Sequence, residues 1–234
     1  MSESSEIYDD EYYRNLPVDS DRISTLLHLL DFRPSDTVLE IGCAAGHFLA
    51  EIAPAIKSGV GLDTAQAAIG AANRIKSQRE LHNIEFEETS AQSYVSSGER
   101  AASFDYVLLL DVTEHIDDDI LSDVLLAAKR LLKSDGKLII HTPNLSYWLE
   151  LLKDRGIIAQ LNGHIAVRNE RHYRDLIEQA EFVAPQVRGL PHYRQPLRLV
   201  DRLLMWIPIL GRLFRSRLFI VVPNSANNRV EAVG

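Results

Sequence analysis

A small-residue turn between an apolar strand and a helix constrains this chain more than any other feature. Val38-Leu39-Glu40-Ile41 is a β-favouring run that ends on Gly42-Cys43-Ala44-Ala45-Gly46, and an amphipathic helical pattern follows. A strand feeding a helix through so little side-chain bulk lets a ligand approach the backbone and meet the amides at the helix start. Strands are expected at 37–41, 58–62, 84–87, 104–110 and 137–141, with helices at 46–52, 64–81 and 117–132. This alternation predicts βαβ units, hence a doubly wound, mostly parallel α/β sheet covered on both faces. Before it, Asp19 or Ser20 can cap a helix reaching about Leu30. After it come helices at 145–155 and 169–180 and two more strands at 182–188 and 217–222.

Length and charge narrow the function. The 234 residues, 46% of them apolar, suffice for one domain with a sizeable core. No apolar stretch reaches the ~20 residues that cross a bilayer. The polar, acidic start lacks the marks of a secretory signal, and the single cysteine, Cys43, excludes an internal disulfide; a cytoplasmic setting is expected. A net charge of −8 disfavours nucleic acid as a partner. Residues 1–21 carry seven acids against Arg14 alone, and residues 188–217 carry seven arginines against Asp201 alone.

The glycine loop lacks the terminal Gly-Lys-Ser/Thr of a triphosphate loop and breaks the G-x-G-x-x-G of a dinucleotide site. What stands is Glu40-x-Gly42-x-x-x-Gly46. With its neighbours, this segment resembles the first motif of class I S-adenosylmethionine-dependent methyltransferases, Asp/Glu-x-Gly-x-Gly-x-Gly, with Ala44 in place of the middle glycine. Gly59-Val60-Gly61-Leu62-Asp63 is similar to the second element, Thr89-Ser90-Ala91-Gln92 to the third, and Phe104–Leu110 followed by Asp111-Val112-Thr113-Glu114-His115 to the fourth. Leu131-Leu132-Lys133-Ser134-Asp135-Gly136 looks like the turn into the family's fifth strand. The resemblance covers about 36–188.

The resemblance implies a Rossmann-like seven-stranded sheet with an antiparallel last strand, and S-adenosyl-L-methionine as cofactor. It implies a division into an N-terminal arm and helix over the cleft (1–35), a cofactor-binding core (36–188), an insertion (189–216) and a last strand with tail (217–234). Gly42, Ala44 and Gly46 would wrap the methionine end and Glu40 would hold its ammonium. Asp63, with Thr64, would take the ribose hydroxyls, while Ser90 and Ala91 would meet the adenine; Asp111 would line the same crevice. A tight turn in a ligand-free protein, helix capping by Asp63 and a plain surface loop at 89–92 are the corresponding structural alternatives.

An oxygen acceptor benefits from a base that titrates near neutrality, so His115 and His164, with Glu114 beside them, are the expected catalytic residues. His141 ends a strand and can instead pair with backbone. The cluster Asp111-x-x-Glu114-His115 is similar to one in ubiquinone-pathway O-methyltransferases, where acids and a histidine can hold a metal; a polar wall or a helix cap is the alternative, and no metal is expected. The 28 residues of 189–216 exceed a hairpin's needs. There Leu197, Val200, Leu203, Leu204 and Ile207 keep helical spacing, with Arg198, Asp201 and Arg202 opposite. A lid, a dimer contact and a peripheral membrane contact through 197–217 all fit this pattern.

The expected activity is methyl transfer to a small-molecule acceptor, on oxygen, the acceptor being apolar, lipid-linked or a glycan. The rivals are a non-catalytic cofactor-binding scaffold, an enzyme acting on protein or RNA, and a nicotinamide dehydrogenase, the last disfavoured by the broken fingerprint.

Overall fold

The computed structural model describes residues 13, 19–97, 101–161 and 163–225. Most of the N-terminal arm and of the C-terminal tail lies outside these residues. Seven strands form one sheet: β1 (Thr37–Ile41), β2 (Ser58–Asp63), β3 (Ile84–Glu88), β4 (Phe104–Leu110), β5 (Leu132–Pro143), β6 (Gln186–Leu190) and β7 (Arg217–Pro223), in the order β3-β2-β1-β4-β5-β7-β6. β1 to β5 pair in parallel, and β7 runs antiparallel to both β5 and β6. The doubly wound sheet with a reversed last strand is therefore as expected.

The strands are apolar on both faces because both are covered. Leu39, Ile41, Val107, Leu109, Leu138 and Ile140 point into one core. Val38, Leu108, Leu110 and Ile139 alternate with them and point into the other. The first core packs under α5 (Asp118–Leu131) and α7 (Glu170–Gln179); the second packs under α1 (Ser20–Leu27) and α2 (His47–Ile52). Helix starts are fixed by side-chain caps. Asp19 accepts from the Arg22 amide (3.0 Å), Asp117 from Ile120 (2.8 Å) and Asn169 from His172 (3.0 Å).

Several boundaries differ from the sequence expectation. α1 stops at Leu27. α3 (Gln66–Gln78) starts two residues late, because Asp63 takes the Ala65 amide first. α4 (Ala91–Ser96), unforeseen, is capped by the Ser90 hydroxyl. α6 (Trp148–Asp154) is delayed by a turn in which Asn144 Oδ1 accepts from the Ser146 amide. β6 begins at Gln186 rather than 182. Glu181 and Ala184 adopt positive φ and Pro185 has no N–H, so the chain cannot enter a ladder earlier. α8 (Leu197–Leu204) and a short 3₁₀ turn (Leu210–Phe214) fill the segment between β6 and β7.

Candidate active site

Strand order reverses between β1 and β4, and ligands in open α/β sheets bind beyond the carboxyl ends of strands at such a switch. The loop after β1 passes through left-handed backbone at Gly42 (φ +72°), Ala44 (φ +48°) and Gly46 (φ +70°). A Cβ on Gly42 would stand 2.5 Å from Val112, and one on Gly46 would stand 2.5 Å from Phe86. Both glycines are thus required by backbone and by packing, Gly42 against the loop after β4 and Gly46 against β3. Ala44 adopts the same left-handed region at a cost of about 1–2 kcal/mol. Tyr13 packs on the outside of this loop against Ala45, Ala68 and Ala71.

Two carboxylates flank the loop. Glu40 is buried, and burial pushes its carboxyl up to about 8, Arg22 pulling the other way; its Oε2 has no hydrogen-bond partner among the described residues. Asp63 accepts from the Ala44 amide through Oδ2 and the Ala65 amide through Oδ1, both at 2.9 Å. Those two bonds fix the plane of the carboxylate and leave each oxygen a second lone pair. Thr64 is exposed beside it. Ser90 accepts from the Ser93 amide at 3.1 Å and bonds its hydroxyl, so it serves as a helix cap; Ala91 is buried in the first turn of α4.

Asp111, expected to line the crevice, is the centre of a half-buried ion network. Its backbone is left-handed (φ +57°). Oδ2 accepts from Arg22 Nε (2.5 Å) and from His141 Nδ1 (3.1 Å), and Oδ1 from Arg217 Nη1 (2.8 Å). Burial opposes its charge, but His141 and the two guanidiniums outweigh burial and hold its carboxyl well below the usual range. Burial likewise opposes charge on His141 and pushes its ring down, while Asp111 pulls it up. Arg22 also donates to the Leu110 carbonyl (3.0 Å), and the Arg217 guanidinium lies 5.0 Å over the Tyr193 ring. Sequence reading missed Arg22 and Arg217. Isolated arginines on a helix face and at a strand start carry no local sign of a partner 89 or 106 residues away.

Next to this network, Glu114, His115 and His164 meet. One ligand atom from each lies within 4.8 Å of the others, a spacing suited to a cation, although no metal is expected from sequence. Glu114 is buried, and burial followed by repulsion from Asp111 pushes its carboxyl up to about 8; Oε2 accepts from the Thr142 hydroxyl at 3.3 Å. His115 Nδ1 is 2.8 Å from the Gly163 carbonyl, and its ring stands edge-on to His164 with centroids 5.0 Å apart. Burial, then His115, pushes His164 down to about 4, and its Nδ1 has no partner among the described residues. Arg168 staples the loop that carries them. Fully buried, it donates to the carbonyls of Thr113, Ala166 (3.0 Å) and Ile116 (2.8 Å) and to Asp118 (2.6 Å).

A family profile described as "Methyltransferase domain" matches residues 12–187, most of the chain. The chain belongs to the methyltransferase-domain family. Among curated relatives of this methyltransferase domain, the ubiquinone biosynthesis O-methyltransferase of Bartonella quintana (strain Toulouse) is 32% identical over 107 residues, which is 46% of this chain and 41% of that one. The uncharacterized methyltransferase YcgJ of Bacillus subtilis (strain 168) is 22% identical over 60% of this chain and 52% of its own. The chain thus spans about half the length of such relatives. The crystal structure of a SAM-dependent methyltransferase from Archaeoglobus fulgidus superposes with a TM-score of 0.66 at 16% identity, covering 92% of this chain and 97% of that one; at that identity the likeness is one of fold.

The family's cofactor is S-adenosylmethionine, and the residues present fit it. A buried carboxylate oxygen without a partner among the described residues, Glu40 Oε2, suits an ammonium group, and the amide-oriented Asp63 suits paired hydroxyls.

Proposed function

We propose that the chain is an S-adenosylmethionine-dependent methyltransferase acting on the oxygen of a small-molecule acceptor. The observation that carries this reading is the buried oxygen of Glu40, without a hydrogen-bond partner among the described residues, at the strand-order switch and flanking the same loop as Asp63. Bound cofactor supplies an electrophilic methyl group on a sulfonium. Glu40 receives the ammonium; Asp63 receives the ribose hydroxyls; the left-handed backbone at 42–46 lets the methionine end approach the chain. His115, donating Nδ1–H to the Gly163 carbonyl, is the tautomer whose Nε2 accepts a proton, here that of the acceptor hydroxyl. Arg168 keeps the 113–118 loop in register with the 163–168 segment, so base and acceptor stay aligned. The O-methyltransferases among the curated relatives support an oxygen acceptor.

Isothermal titration with S-adenosylmethionine and incubation of labelled cofactor with fractionated extracts test this. Asp63→Ala is expected to weaken cofactor binding at least about tenfold. His115→Ala should keep that binding and lower kcat/KM by about 10²–10⁴. A wild-type protein that binds no cofactor at millimolar concentration defeats the reading; transfer at the wild-type rate by the His115 variant defeats the base assignment.

The convergence of Glu114, His115 and His164 favours a second reading of the acceptor chemistry, in which the three hold a divalent cation that binds the acceptor oxygen. In that case His115 is a ligand and cannot also be the base. Loss of transfer in EDTA, restored by added Zn²⁺ or Mn²⁺, is the expected result; EDTA-insensitive transfer removes it.

A further inference from the structure

α8 is oriented inside out. Its acid, Asp201, is fully buried, accepting from the Tyr147 hydroxyl (3.3 Å) and from the His192 amide (2.9 Å). That anchor turns the opposite, apolar face to solvent. Leu203 is 68% exposed, Trp206 81% and Ile209 83%, and Leu199, Ile207 and Leu210 are exposed with them. An ordinary surface helix shows its charges and hides its leucines. A contiguous water-facing apolar face of this kind marks a docking surface.

The flank of the same helix lines a cavity of about 790 Å³ between α1 and β6. Arg188, Arg198, Arg202 and Arg215 contribute to its wall, and Asp21 is the one acid in it among the described residues. None of the four arginines has an ion-pair partner among the described residues. Cations are thus concentrated along one side of an exposed apolar helix in a chain whose net charge is −8. Such a pairing complements anionic headgroups above acyl chains. It does not complement itself: a two-fold contact between two copies would bring arginines against arginines.

We infer that α8 and the turn after it dock on an anionic phospholipid surface, the apolar face entering the interface and the arginine-lined cavity seating lipid phosphate. Tyr193 lines the cavity and also stacks under Arg217 of the Asp111 network, so the docked face adjoins the candidate active site. The inference does not rest on methyl transfer, and its test needs no cofactor.

Flotation of the full chain with phosphatidylcholine vesicles, with and without phosphatidylglycerol, tests it. Binding at least about tenfold stronger to the phosphatidylglycerol vesicles at low salt, and weakened by salt, is expected. Leu203→Glu with Trp206→Glu should lose it by about tenfold or more while the far-UV circular dichroism stays unchanged. Arg198→Ser with Arg202→Ser should lose the preference for phosphatidylglycerol. Absence of wild-type flotation, or flotation of the Leu203/Trp206 variant at the wild-type level, overturns the inference. So does sedimentation showing a dimer that Leu203→Glu dissociates, which would make a second copy the occupant. Inorganic phosphate that stabilises the wild type but not the arginine variant, without flotation, would assign the cavity to a soluble anion and also overturn it.

Discussion

At the scale of single residues, the proposed ammonium site at Glu40 sets stability against binding. Burial pushes its carboxyl up to about 8 from an ordinary 4.5. Between those values the folded state holds a proton that the unfolded state has lost, so folding stability falls as pH rises through this window and the full penalty is present above about pH 8. Glu40→Gln removes that part of the slope. The variant should be about 1–3 kcal/mol more stable than wild type at pH 8 and near equal to it at pH 4.5, in urea unfolding. The same change should weaken S-adenosylmethionine binding about tenfold or more, because a neutral amide replaces the ammonium's counter-charge. Ala44 presents the converse case. It adopts a backbone that glycine takes without strain, so Ala44→Gly should raise stability by about 0.5–1 kcal/mol after glycine's greater unfolded-state entropy is counted. Equal urea midpoints would mean the loop relaxes around alanine.

Among elements, the loop after β4 carries the proposed acceptor-side groups. It carries Glu114 and His115 in a short 3₁₀ turn (Thr113–His115), and two of its carbonyls, those of Thr113 and Ile116, accept from one side chain, Arg168, which also pairs with Asp118 at the start of α5. Arg168→Ala leaves the Thr113 and Ile116 carbonyls without their buried donor. It should cost about 3–5 kcal/mol of stability, and kcat/KM should fall further than cofactor affinity does, since Glu40 and Asp63 lie on β1 and β2. Equal losses in both quantities would show that the two halves of the crevice are not separable. The buried hydroxyl chain of Thr113, Thr142 and Tyr173 (2.6–3.1 Å) ties the same loop to β5 and α7.

For the whole molecule, Asp111 joins parts of the chain that are remote in sequence: α1 through Arg22, β5 through His141 and β7 through Arg217. One carboxylate thus fastens the N-terminal helix and the antiparallel last strand to the centre of the sheet. Asp111→Asn leaves two mostly buried guanidiniums without their counter-charge. A loss of about 3–5 kcal/mol in denaturant unfolding is expected. A change below about 1 kcal/mol would show that solvent already screens the network, the side chains being 17–22% accessible.

The alternation of apolar strands and capped helices was legible because periodicity is local: each strand needs only its own residues to show two buried faces, and each cap reads an amide three residues away. The glycine loop and the acids Glu40 and Asp63 were legible for the same reason, being fixed by a turn and by the strands it joins. Tertiary structure alone decided the roles of Asp111, Arg22, Arg217, Arg168 and His164, whose partners lie on other elements. It also decided that Ser90 caps a helix and that Asp201 faces inward and turns Leu199 and Leu203 of α8 outward. A sequence specifies which side chains can bear charge. Where a buried charge finds its counter-charge depends on the packing of segments far apart in the chain, because the cost of burying it is settled only when they close around it.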